Sequence, residues 1–326
     1  MNTRKRSLTI GLLAVIILTF SILILVFKPW QLFDQINGLD IGSSKVSKTD
    51  GMILVYVPAG NFIMGSDEDS PYDIGFPQHT VYLDAFWIDS TEVTNTMFAK
   101  FVAATKYKTG AEITGSGSVM DSETPGPRNI QMNGADWLHP RGPSSDITNM
   151  QDYPVVQIDW IDAKSYCEWA GRRLPSEAEW EKAARGTDGR IYPWGNQPPT
   201  GELANIAGMD LVSLVGWADP NLDDGYKFTA PVGNYPEGVS SYGAFDMAGN
   251  VWEAVADYYD RDYYAISPAR NPTGPSSGGG HVLRGGSWMM DAFGVRTAFR
   301  AGIEKVPESR GGGFDGLGFR CASSIE

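Results

Sequence analysis

Cysteine and histidine are scarce in this chain. Cys167 and Cys321 are the only thiols, and His79, His139 and His281 the only imidazoles, among 326 residues. Two cysteines cannot build a cysteine-rich metal cluster. The three histidines stand too far apart in sequence for metal-ligand spacing, so each reads as structural. Positive charge is also short. Residues 1–30 carry Arg4, Lys5, Arg6 and Lys28 and no acid, so elsewhere 22 basic side chains (26 − 4) face 39 acidic ones, a net of −17. Such a surface repels phosphate backbones, which argues against a nucleic-acid partner. The acid excess either keeps the protein soluble or attracts calcium or a basic partner. No fixed-period repeat is found.

One long apolar run is present. Leu8 to Phe27 are 20 uncharged, mostly apolar positions, and at about 1.5 Å per residue they span roughly 30 Å, a bilayer core. Arg4, Lys5 and Arg6 precede the run and only Lys28 follows closely, which places the N-terminus in the cytoplasm and the rest outside. A cleaved signal peptide is the competitor, but its apolar region is shorter and ends in small residues; this run ends Val-Phe-Lys-Pro-Trp. The expected organisation is a cytoplasmic tail at 1–7, a transmembrane anchor at 8–27, a polar tether at 28–50 and one domain at 51–326. The location implied is a bacterial-type inner membrane, single-pass, with the domain periplasmic and the bilayer itself as a partner.

Within the domain, MILVYV and NFIMGS read as short strands either side of a Pro-Ala-Gly turn, and HTVYLDAFWID as an alternating stretch broken near Asp84. Phe98, Phe101, Val102 and Thr105 predict a helix capped by Thr94. Residues 108–150 show no periodicity and read as a loop pinned by Trp137 and His139. Trp160, Ala163, Cys167 and Ala170 predict a helix with Cys167 on its buried face, stopped at Gly171. Ser176 with Glu179 forms a capping box for a second helix that closes at Gly186. Beyond a turn at YPWGN, 38 Gly, 20 Pro and 10 Trp in the whole chain suggest aromatic packing and irregular loops.

The segments PAGNFIMGS, STEVTNTMFAKFV, GADWLHPRGP, the stretch from Pro154 to Gly186, YPWGN, DMAGNVWE, VLRGGSW and GLGFRCA follow one another in a familiar order. In that order the chain resembles the formylglycine-generating enzyme (sulfatase-modifying factor) family over residues 51–326. The resemblance implies an irregular α/β (α+β) fold, related to the C-type lectin type, with little regular secondary structure and here preceded by one transmembrane helix. It implies a structural disulfide between Cys167 and Cys321, against the alternative of two buried thiols. It also implies two calcium sites of oxygen ligands. One uses Asn205 and Asp224 by side chain with Ile206 and Tyr226 by carbonyl; the other uses Asp246 and Glu253 by side chain with Gly249 and Val251 by carbonyl. A solvated acidic loop is the alternative for each.

Catalysis is where the resemblance breaks. The family's active members oxidise a cysteine in a Cys-x-Pro-x-Arg segment to formylglycine, using two cysteines that bind copper. Those cysteines fall three and eight residues after the Gly-Gly-Ser serine, which is Ser287 here, so the positions are Met290 and Val295. Copper(I) of this kind needs a soft thiolate pair; a thioether and a hydrocarbon do not replace it. The expectation is therefore a chain that is not an enzyme and holds no copper. It would be an extracytoplasmic binding or structural module, an accessory subunit with protein partners in a membrane complex for electron transfer or secretion. Two alternatives stand beside it. One is an enzyme using other groups of the same cleft, with Ser287, Trp288, Met290, Arg296 and Arg300 as candidates. The other is a carbohydrate- or peptide-binding module.

Overall fold

The computed structural model describes residues 38–67, 75–126, 128–302 and 313–325. The chain divides into two units, residues 1–40 and 41–326, and every element below lies in the second. The expected anchor at 8–27 lies outside the described residues. Among those described, no helix is long and apolar enough to cross a membrane.

Two four-stranded sheets form the frame. The first is ordered β1-β2-β5-β12, from Ser44–Val46, Ile53–Val57, Phe86–Asp89 and Ala322–Ser324. β1 lies inside the stretch expected as tether, where Lys45 pairs in register with Leu54. The apolar β2 and β5 are buried on both faces apart from Ile53, as a central strand pair requires. The second sheet is ordered β10-β9-β8-β11, from Arg300–Gly302, His281–Arg284, Trp252–Tyr258 and Leu317–Gly318, with β11 parallel to β8. β3 (Gly60–Met64) pairs with β4 (His79–Leu83) rather than with β2. The alternation breaks at Asp84 because β4 and β5 belong to different sheets.

Helix α1 is Asn95–Thr105, begun by Thr94, whose Oγ1 accepts the Met97 amide at 3.3 Å, and ended by Lys106 in the left-handed region at φ 59°. Residues 108–150 are more ordered than expected. Gly110–Thr114 forms helix α2, and Ser116–Met120 (β6) pairs with Asn129–Asn133 (β7) as a hairpin. Trp137 is buried against Phe98, with ring centres 5.4 Å apart.

Helix α3 (Trp160–Trp169) opens with a capping box between Asp159 and Asp162, and α4 (Glu177–Arg185) with one between Ser176 and Glu179. Cys167 on α3 and Cys321 ahead of β12 are bonded, both fully buried, with Cα atoms 5.6 Å apart. All nine residues of α4 are buried, charged ones included. Two of its three acids are matched from the C-terminal third of the chain: Glu177 takes a two-pronged bond from Arg300 (2.7 and 2.8 Å), and Glu181 pairs with Arg284 at 2.5 Å. On β8, Glu253 takes Arg320 the same way, at 2.7 Å on both oxygens. Buried charge is tolerated only when paired and hydrogen-bonded. These pairs tie α4 and β8 to the last strands.

Candidate functional site

The loop that carries Met290 and Val295 leaves β9 through Gly285 and Gly286, at φ 90° and 71°. A side chain at Gly286 would sit 2.6 Å from the Gly294 carbonyl, so only glycine lets the two ends of the loop meet. Ser287 and Trp288 are fully buried. The Ser287 hydroxyl has no hydrogen-bond partner among the described residues. Trp288 donates its indole N–H to the Asp315 carbonyl at 3.2 Å and meets Phe228 edge to face at 5.1 Å. The Arg141 guanidinium covers the Phe228 ring at 3.9 Å and pairs with the Asp315 carboxylate. Burial pushes the Asp315 carboxyl up to about 6 against the opposing pull of Arg141.

At the two former thiol positions the chain has built an apolar cluster. Val295 is fully buried with Tyr192, Ala204, Ile206, Leu222 and Ala248, and Met290 and Trp194 pack against them. Both cysteines of the chain are consumed by the disulfide. These residues do not fit a copper–thiolate centre, and no chemical step is derived through one.

The five candidate cleft residues do not share one cavity. Arg296 lines a recess of about 220 Å³ with Arg185, Thr297, Phe293 and Phe299, its guanidinium 4.6 Å above the Phe293 ring. Arg300 is no cleft residue: it is fully buried and committed to Glu177.

The two expected calcium positions differ in how well they suit a cation. At the first, Asn205 Oδ1 is buried without a hydrogen-bond partner, an acceptor a hard cation could use. Asp224 accepts the amides of Ile206 and Tyr226 at 3.0 Å each, and burial pushes its carboxyl up to about 6. At the second, Glu253 is already matched by Arg320 and by the Trp180 indole at 2.9 Å. Asp246 is buried, accepts the Gly233 amide at 2.6 Å, and sits beside a carboxylate that sequence reading missed, Glu92. Burial, then the like charge of Asp246, holds Glu92 well above the usual carboxylate range. Asn250, which donates to Glu92 at 2.9 Å and to which Asn205 donates at 3.2 Å, connects the two positions. Among the described residues no group of three or more His, Cys, Asp or Glu side chains is arranged as a metal site, so backbone carbonyls and Asn205 would have to complete either one.

The sequence profile of the Sulfatase-modifying factor enzyme 1-like domain matches residues 40–325. The formylglycine-generating enzyme of Streptomyces coelicolor is 41% identical over 290 residues, covering 83% of this chain and 89% of the relative. That of Mus musculus is 37% identical over 305 residues, covering 88% and 78%. A second Mus musculus relative, named inactive C-alpha-formylglycine-generating enzyme 2, is 36% identical over 294 residues, covering 83% and 85%. Among solved structures, PvdO from Pseudomonas aeruginosa superposes with a TM-score of 0.66 at 26% identity, covering 88% of this chain and all of that one. These relatives correct the expectation of a chain that is not an enzyme. Substitution at two positions outweighed the rest of the sequence in that reading, whereas relatives at 37–41% identity carry an enzyme's name and an inactive form is a separate, comparably distant one. By profile, by identity and by fold, the chain belongs to the formylglycine-generating enzyme family.

Proposed function

We propose that the protein is an enzyme of the formylglycine-generating enzyme superfamily whose reaction does not use a copper–dithiolate centre. The observation that carries this is the pairing of a family-wide fold with an apolar cluster at Met290 and Val295 and a disulfide that consumes both cysteines. The reacting group of the substrate is placed in the recess of Arg296 and Thr297, walled by Phe293 and Phe299, on the loop that follows the replaced residues. A guanidinium over an aromatic ring suits a carbonyl- or carboxylate-bearing group. Residues 8–27 hold the domain at the outer face of a bacterial-type inner membrane, which agrees with a disulfide-permissive compartment. Calcium at Asn205 and Asp224 steadies the loops beside the apolar cluster. A second reading, an accessory subunit of a larger membrane complex, is favoured by the exposed Met209, Val212 and Trp217 on one loop.

The test compares envelope fractions incubated with the full chain, with Arg296→Ala and without protein, by mass spectrometry of peptides and small molecules. The expected result is a product that needs the chain, is insensitive to a copper(I) chelator and is lost in Arg296→Ala. Copper-dependent formylglycine on a Cys-x-Pro-x-Arg peptide, or no chain-dependent product at all, would overturn the reading.

A further inference from the structure

A second cavity lies away from that loop. It has a volume of about 480 Å³ and is bounded by the β4–β5 turn, the start of α4, the end of β8, the 271–273 segment and the end of β12. It shares no lining residue with the Arg296 recess. Its size is within the range of small-ligand pockets, about 300–1,000 Å³. Leu83, Phe86, Leu174 and Pro272 supply apolar wall.

The charged groups of the lining are unequal. Arg173 and Glu179 neutralise one another through two bonds of 2.6 and 2.7 Å. Asp84 at the rim pairs with Arg270 and accepts the Asn271 side-chain amide at 2.7 Å. Asp257 forms no ion pair among the described residues, and Arg173 and Arg300 act on it only from longer range. It is 3% exposed, and its Oδ2 accepts the Glu177 amide at 2.8 Å. Gly274, at φ 74°, passes directly over it: a side chain there would lie 3.0 Å from Oδ1. The Asp257 carboxyl thus lines an apolar-walled cavity without an ion-pair partner.

We propose that this cavity is a second binding site, for an organic cation on an apolar stem, such as the lysine or arginine side chain of a peptide, with its charged head on Asp257 Oδ1. The apolar wall takes the stem, and Asp257 supplies the one lining carboxyl without an ion-pair partner, ionised as the cation binds. The overall acid excess of the chain favours approach of such a ligand. Around Asp257 stand Glu177 and Glu179 on α4, Arg173, Arg300 on β10, Tyr263, and His281 on β9, whose Nδ1 contacts the Asp257 carbonyl. Burial, then the like charge of Glu177, pushes the Asp257 carboxyl up to about 8. A bound cation reverses that, so binding near neutral pH releases a proton. The site stands apart from the proposed reaction and does not depend on it.

The experiment is isothermal titration of the full chain with Nα-acetyl-lysine methylamide, Nα-acetyl-arginine methylamide and the uncharged norleucine analogue. Saturable one-site binding of a cationic probe is expected, with norleucine at least about tenfold weaker. Asp257→Asn, nearly equal in shape, is expected to lower cationic affinity about tenfold or more. Thr273→Trp, at the exposed rim, is expected to block it while leaving the thermal melt unchanged. Arg296→Ala should bind the probes as wild type does. Absence of saturable binding up to about 10 mM, equal binding of norleucine, or an unaltered Asp257→Asn variant with a native melt would overturn the proposal.

Discussion

Replacing Asp257 by Asn should change how stability depends on pH, and the sign follows from the site. The carboxyl is raised from an ordinary 3.8 to about 8, by burial first and the charge of Glu177 second. The folded protein therefore holds this proton more tightly than the unfolded chain does. That stabilising contribution is fully present below about 3.8 and is lost as pH rises through about 8. Between those limits each pH unit removes about 1.4 kcal/mol. From pH 5 to pH 7 the group alone would cost wild type about 3 kcal/mol, and water in the adjoining cavity reduces this to about 1–3 kcal/mol. Asn does not titrate. Asp89 and Asp162, each raised to about 7, titrate in the same window in both proteins and cancel in the difference. Urea unfolding followed by tryptophan fluorescence at several pH values gives the comparison. Wild type should lose stability relative to Asp257→Asn as pH rises. Parallel profiles from pH 5 to 7, or a gain by wild type, would refute the argument.

Cys321→Ser removes a bridge across a sequence separation of 154 residues and should cost about 5 kcal/mol on the chain-entropy account, read as a lower denaturant midpoint than wild type under non-reducing conditions. Arg320→Met strands Glu253 without its guanidinium and should cost about 3–5 kcal/mol, while Arg320→Met with Glu253→Leu should recover part of that loss. Calcium should raise the melting temperature of the full chain, and Asn205→Ala should reduce that rise; a melt insensitive to calcium would remove the ion from Asn205 and Asp224.

Local signals were legible wherever the chemistry is local. Thr94 and Ser176 cap their helices because a short polar side chain can reach the amide three residues ahead. Cys167 lies on the buried face that helical spacing predicts. The hairpin at Ser116–Met120 and Asn129–Asn133 was not legible: its strands are poor in β-branched residues, and its stability comes from contacts with distant segments such as the Ser118–Phe314 bridge. Arg300 was misread as a cleft residue because its partner, Glu177, lies 123 positions away, and buried arginines are too rare to expect. Glu92 and Asp257 escaped notice for the same reason. Neither stands out among its sequence neighbours, and only the fold gives either an unusual environment.

The pairing of α4 and β8 with Arg284, Arg300 and Arg320 also limits how this protein can be shortened. A chain cut ahead of Arg284 would leave the carboxylates of Glu177 and Glu253 inside a dry interior with no counter-ion, and Glu181 with only Arg185 of its own helix. Those acids would have to reach water, and the helix and strand that carry them would open with them. The stretch from Arg284 onward is thus the keystone of the domain, and trimming from that end should yield an unfolded chain, not a smaller protein.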